Sequence, residues 1–384
     1  KYSDLKELDL RNKFVFVLPL KEPRNADGTY VISGNTKPSV WSDPRLGPTR
    51  RAEALLAKGA QAVITLAGDT DEQAAALFDR MKAGLSRASL SFREEPNAAR
   101  RLPNFMLNAS AVKTLFNLND TALADLRAGK SKPGSLTGKL SVKAVMDVQP
   151  LPASNIAGLL DGTDKKDEVV VISAHYDHIG VNPQGQVFNG ANDNGSGTVL
   201  VMELAEAFAE AARQGQRPHR SLLFLIVTGE EKGLLGSQYY SEHPLLPLQN
   251  TVADLNTDMV GRVDKQHEGK PDFIYVIGAD KLSSELHAIN EEANKKVGLD
   301  LDYTYNDPAD PNRFYYRSDH YNFAKKGIPS IFYFNGTHPD YHGVGDDVEK
   351  INFDAAVKSA KLVFYTAWEL VNRPKRIVVD SNKP

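Results

Sequence analysis

Apolar residues in this chain fall into two patterns: short unbroken runs, and longer stretches in which they return every three or four positions. The first pattern marks strands covered on both faces, the second helices with one buried face. Residues 13–20 (KFVFVLPL) predict a buried strand, 51–59 a helix and 61–66 (QAVITL) a second strand, with Ala-rich helices at 71–84 and 121–129. The polar, Arg-rich stretch 89–103 reads as irregular. Leu140, Val142, Ala144, Met146 and Val148 then form a period-two stripe, followed by a turn at 150–152 and a strand at 155–160. That pair predicts an antiparallel hairpin.

From there strands and helices alternate. Strands are expected at 169–174, 222–227, 252–256, 273–277 and 330–334, and helices at 197–213, 236–243, 282–297 and 353–371. Such an order implies an α/β fold with a mixed, mostly parallel sheet covered by helices. Residues 129–138 (GKSKPGSLTG) are the best linker candidate. The expected domains are therefore residues 1–137, a smaller α/β module, and residues 138–384, which carry the chemistry. No histidine precedes His175, so the first module reads as packing or access, not catalysis.

Composition narrows the function classes. Of 384 residues, 46 are Lys or Arg and 49 Asp or Glu, a formal net charge of −3. No polyelectrolyte surface is implied, and no nucleic-acid partner. The longest apolar stretches, such as 222–227, fall far short of the roughly 20 residues that span a bilayer. With no cysteine, thiolate nucleophiles and Cys-type metal sites are excluded, so any metal must be held by His, Asp and Glu. Starting at Lys1 and without an apolar leader, the chain reads as an excised or processed piece of a longer precursor.

In open α/β sheets, sites form beyond the carboxyl ends of the strands. The residues following each strand are telling: His175-Tyr-Asp177-His178, the Gly-flanked Asp193, the pair Glu230-Glu231, then Asp258, and finally His338-Pro-Asp-Tyr341-His342. Each has an ordinary reading alone: a surface turn, a helix cap at Ser196, a solvated strand exit, a loop hydrogen bond. Together they are acids and imidazoles gathered at one edge, which packing does not require. Two divalent cations need a carboxylate shared between them plus further oxygen or imidazole ligands on each, and such ions activate water at neutral pH. Donors without thiolate suit zinc, with manganese or cobalt as substitutes. A carboxylate on a tight loop suits the bridging role at Asp193. Of Glu230 and Glu231, neighbours that point apart, one is expected to ligate and the other to face the attacking water; spacing alone does not choose between them.

The motifs SAHYDHIG, NGANDNGSG, TGEEKGLLGS, NTDMVG and PDYHG, in this order, resemble the co-catalytic zinc peptidases of the aminopeptidase Y and glutamate carboxypeptidase II family, over about residues 138–384. That resemblance implies a zinc-exopeptidase-type sheet and two zinc ions. His175, Asp193 and Asp258 would bind one ion; Asp193, Glu231 and His342 would bind the other. It implies Glu230 as general acid/base, Asp177 as the carboxylate that orients His175, and Tyr341 as a tyrosine that stabilises the oxyanion. His178 and His338 match no ligand position. Val344 stands where relatives often carry proline, and Asp346 fits the acidic position that follows. The stretch EALLAKGAQAVITLAGD is similar to the core of the protease-associated domain, whose bearers usually have an upstream segment that this chain lacks. The function implied is a zinc-dependent exopeptidase acting on peptides, first an aminopeptidase, secreted or in the periplasm or cell envelope. The alternatives are a carboxypeptidase or dipeptidase on the same metal core and a non-catalytic receptor-like ectodomain. For the segment Arg317-Ser-Asp-His320, a helix start capped by Ser318 is favoured, with the role of Arg317 left open.

Overall fold

The computed structural model describes residues 5–6, 8–18, 24–31, 33–43, 46–85, 89–92, 102–127, 134–135, 138–143 and 147–381. Most of the linker candidate 129–138 and the centre of the stretch 89–103 lie outside them. The chain divides into two compact units: residues 1–89 with 93–149, and residues 90–92 with 150–384.

The first unit contains β1 (Phe14–Val17), α1 (Leu46–Ala57), β2 (Ala62–Leu66), α2 (Asp71–Leu85), β3 (Asn104–Leu107), α3 (Ala109–Leu115) and α4 (Asp120–Arg127). Its three strands form a parallel sheet in the order β1-β2-β3. Because side chains alternate across a strand, Val63 of β2 packs with Leu10 and Leu55 while Ile64 and Leu66 pack with Ala109 and Val112 on the other face. The short helix α3, which no periodic stretch announced, starts at Asn108, whose side chain accepts from the Ala111 N–H.

The second unit continues with β4 (Ile156–Leu160), β5 (Lys165–His175), β6 (Gly180–Val181), β7 (Val187–Phe188), α5 (Gly197–Arg213), β8 (Arg220–Val227), α6 (Leu235–Glu242), β9 (Thr251–Thr257), β10 (Phe273–Ile277), α7 (Ser284–Asn294), β11 (Asp300–Asp302), α8 (His320–Ala324), β12 (Ser330–Phe334) and α9 (Phe353–Asn372). Seven strands form the main sheet, in the order β11-β10-β12-β9-β5-β8-β4. The pairs β10/β11, β12/β9, β9/β5 and β5/β8 are parallel; β10/β12 and β4/β8 are antiparallel. The expected hairpin is corrected here. Strand β4 pairs with β8, and residues 140–143 and 147–150 form no strand; a period-two stripe states that a segment is extended, not which segment it meets.

The centre of the sheet is buried on both faces. Val170, Ile172 and Ala174 of β5 and Leu222, Phe224 and Ile226 of β8 pack with Leu204 and Phe208 of α5 and Leu362, Ala367 and Leu370 of α9. The alternate residues Val169, Val171, Leu223 and Leu225 face Tyr240 of α6 and Phe323 of α8. Each Val, Leu, Ile or Phe among them contributes about 1.5–3 kcal/mol when fully buried, so the middle strands form a rigid platform. Chain order reverses about β5, with β8 on one side of it and β9 on the other. That is the switch point beyond which open α/β sheets form their crevice.

Candidate active site

Four adjacent parallel strands deliver the polar residues to one edge. His175 is the last residue of β5; Glu230 and Glu231 follow β8, Asp258 follows β9, and His342 lies in the segment after β12. Asp193 comes from the turn before α5. This turn is held by Asp346, a fully buried carboxylate that accepts from the backbone N–H groups of Asn192 and Asp193 at 3.0–3.1 Å. Gly190 enters the turn at φ +65°, in the left-handed region that glycine adopts without steric cost.

Every expected ligand and Glu230 meet in one cluster. His175 Nε2 lies 3.5 Å from Asp193 Oδ1, 3.4 Å from Asp258 Oδ1 and 3.9 Å from Glu230 Oε2. Across the carboxylate, His342 Nε2 lies 3.1 Å from Asp193 Oδ2 and 3.2 Å from Glu231 Oε2. The two oxygens of Asp193 therefore face two different donor sets. Adjacent glutamates diverge as their local geometry demands, Glu230 toward His175 and Glu231 toward His342. What divides them is Asp177, which accepts the Glu230 N–H on Oδ1 at 3.0 Å and the Glu231 N–H on Oδ2 at 3.2 Å.

The Asp177 carboxylate, expected to orient His175, is thus engaged by the two glutamate amides, and it is the Asp177 backbone that meets the imidazole. His175 Nδ1 donates to the Asp177 backbone carbonyl at 3.1 Å, with Oδ1 further off at 3.7 Å. With the proton on Nδ1, the Nε2 lone pair points at Asp193 and Asp258, the tautomer a ligating histidine needs. Ser318 is a second difference. Its hydroxyl does not cap α8 but donates to Asp258 Oδ2 at 2.9 Å and accepts from Asn256 Nδ2 at 2.8 Å. Nor does Ser196 cap α5: its hydroxyl donates to the Asn192 carbonyl, and Asn194 Oδ1 takes the Gly197 N–H. Arg317 reaches the site through the Tyr341 hydroxyl at 3.3 Å, and the Tyr341 ring stacks on His342. His178 brings Nδ1 to 2.8 Å from Glu231 Oε1. Serine and asparagine contacts of this kind leave no signature in spacing; for His178 the signal was its place in the same post-strand motif.

The electrostatics are strained without a cation. Burial raises the carboxyls of Asp193 and Glu230, the latter well above its usual range. Burial also opposes ionisation of Glu231, but His178 and His342 outweigh it and hold the group at about 2. His342 is drawn up to about 9, first by Asp193 and then by Glu231. For His175, burial is outweighed by Asp258 and Glu230, and the imidazole rises well above its ordinary value. In addition, His175 Nε2, Asp193 Oδ2, Glu231 Oε1 and Asp258 Oδ1 are buried with no hydrogen-bond partner among the described residues. Such orphans are costly. Donor atoms of His175, Asp193 and Asp258 fall within 4.8 Å of one another, as do those of His178, Asp193 and Glu231. Carboxylates and imidazoles aimed at common points fit divalent zinc.

Beside the cluster, Met259, Phe314, Phe332 and Phe334 wall an apolar recess that opens on Glu230, Asp258 and Tyr341. Two non-glycine residues at its rim, Met259 and His342, have φ of +56° and +55°, a costly backbone retained at functional sites.

The aminopeptidase YwaD of Bacillus subtilis is 29% identical to this chain over 233 residues, covering 58% of the chain and 46% of that protein. A probable leucine aminopeptidase of Trichophyton verrucosum is 32% identical over 212 residues, covering 54% of the chain and 55% of the relative. The chain thus spans about half the length of these curated relatives. Among solved structures, a zinc aminopeptidase from Bacillus subtilis aligns with a TM-score of 0.46 at 22% identity, covering 85% of this chain and 69% of that one. A family model described as Peptidase family M28 matches residues 155–367, a span that takes in every strand end and every acid and imidazole of the cluster, and by that match the chain belongs to Peptidase family M28.

Proposed function

We propose that this chain carries the catalytic part of a two-zinc aminopeptidase. The observation that carries the reading is Asp193, whose oxygens face His175 and Asp258 on one side and His342 and Glu231 on the other. His175, Asp193 and Asp258 would hold one zinc, and Asp193, Glu231 and His342 the second. When bound, zinc supplies an acidified water and a Lewis acid for the scissile carbonyl.

The remaining roles belong to the protein's own side chains. Glu230 is kept from ligation by the Asp177 clamp and lines the recess. Burial raises its carboxyl well above the usual range, so it can take a proton and deliver it to the leaving amine. The Tyr341 hydroxyl, also held protonated by burial, lies beside the Arg317 guanidinium and donates toward the developing oxyanion. The apolar recess accepts an apolar side chain, and the surrounding acids favour a substrate ammonium over a free carboxylate. That preference, with the names of the relatives, supports an aminopeptidase over a carboxypeptidase. Residues 1–137 would be a protease-associated-like domain and 138–384 the catalytic domain, and the family resemblance supports action outside the cytoplasm.

The test is a panel of free, N-acetylated and C-amidated peptides assayed with and without zinc, alongside metal analysis. Cleavage that needs a free amine, tolerates amidation and disappears with the metal is expected. Cleavage of N-acetylated peptides at equal rates would overturn the aminopeptidase reading.

A further inference from the structure

His178 is the imidazole of the cluster that neither the family motifs nor the proposed reaction uses. Its side chain is 8% exposed. Nδ1 stands 2.8 Å from Glu231 Oε1 and 3.9 Å from Asp193 Oδ2, and its ring meets that of His342 edge-on, with centroids 5.9 Å apart. The 2.8 Å approach lacks hydrogen-bond alignment: Nδ1, Nε2 and Glu231 Oε1 all remain without a hydrogen-bond partner among the described residues. With Nδ1 unprotonated, its lone pair and the carboxylate oxygen repel at that distance unless both face a common cation beside them.

The ring's position is built into the chain. Gly190 packs against it so closely that a Cβ there would lie 2.5 Å from His178 Cγ. The positive φ and the missing side chain of Gly190 thus make the slot that aims the ring at Glu231. Meanwhile His342, on the far side of the same carboxylates, is 38% exposed. The two imidazoles address different oxygens of Glu231, His178 facing Oε1 and His342 facing Oε2.

We propose that His178 is itself a protein ligand, through Nδ1, to the cation held by Asp193, Glu231 and His342. This rests on the two-zinc reading above. It makes the second site richer in imidazole than the first and anchors it on a buried group as well as on an exposed one.

The experiment uses the full chain, stripped of metal and titrated with zinc against a chromophoric chelator, and with cobalt(II) followed by its d–d absorption. The variants are His178→Ala and the near-isosteric His178→Gln, which keeps the slot filled and can still donate a hydrogen bond to Glu231. Wild type should bind two zinc ions. Both variants should lose affinity at one site by more than the roughly 10–100-fold that an outer hydrogen bond is worth, and the cobalt band of that site should change. Restoration of wild-type affinity by glutamine would overturn the proposal, leaving His178 a hydrogen-bond donor. Two zinc ions bound with unchanged affinity and spectrum in both variants would also overturn it while sparing the two-zinc reading. Uptake of a single zinc by the wild type would remove both.

Discussion

Adjacent glutamates at the end of β8 make the sharpest contrast the site offers. Glu230→Gln should keep both zinc ions and substrate affinity while kcat falls about 10²–10⁴-fold, the usual worth of a positioned general base. Glu231→Gln should weaken one zinc site and regain part of its activity in excess metal. Exchanged phenotypes in a paired metal titration and kinetic assay would reverse the roles. Asp193→Asn tests the bridge. An amide cannot serve two cations as a carboxylate does, so affinity at both sites should drop, and full retention of two zinc ions would end the bridging assignment.

At the scale of elements, the site depends on how tightly α5 enters the sheet. Gly197, the first residue of α5, leaves no room for a side chain: a Cβ there would strike the Thr257 carbonyl and Asn194 Oδ1. Those two atoms belong to the bonds that tie the Asp193 turn to β9, since Asn194 Nδ2 donates to the Thr257 carbonyl and Asn194 Oδ1 accepts from Gly197 and Met259. Gly197→Ala should therefore cost about 1–3 kcal/mol, the usual penalty of overpacking, and weaken zinc binding as Asp193 shifts. Urea unfolding and a zinc titration check the two effects separately. A variant with wild-type values for both would show that the turn adapts freely.

For the whole molecule, stability should follow proton and metal binding. His320 is fully buried between Tyr315 and Phe332, and burial lowers its pKa to about 3. The unfolded chain takes up that proton below its ordinary pKa of about 6.5, the folded chain only near 3. This contribution is full above pH 6.5 and falls by up to about 1.4 kcal/mol per pH unit below it. His320→Phe should flatten the loss of stability between pH 7 and pH 5 in urea melts, whereas an unchanged slope would mean that other groups govern it. Zinc acts by the same linkage. Chelation should lower the thermal midpoint, because a ligand at about 1,000 times its Kd adds about 4 kcal/mol; an unchanged midpoint would argue against a filled site.

How much of this was legible in the amino-acid order follows from range. The unbroken apolar runs at 273–277 and 330–334 are strands with those very bounds, and 197–213 is α5, because a strand buried on both faces or an amphipathic helix writes its own environment into consecutive residues. The gathering of His175, Glu230, Asp258 and His342 at one edge was equally legible, since parallel strands all end on the same side. Tertiary structure alone decided the partners. Strand β4 met β8, Ile156 opposite Ile226 and Leu160 opposite Leu222, Ser318 went to Asp258 instead of capping its own helix, and His178 turned toward Glu231. Each is a contact between segments distant in sequence. Local pattern sets a residue's conformation and burial, but only the order of strands in the sheet sets what stands opposite.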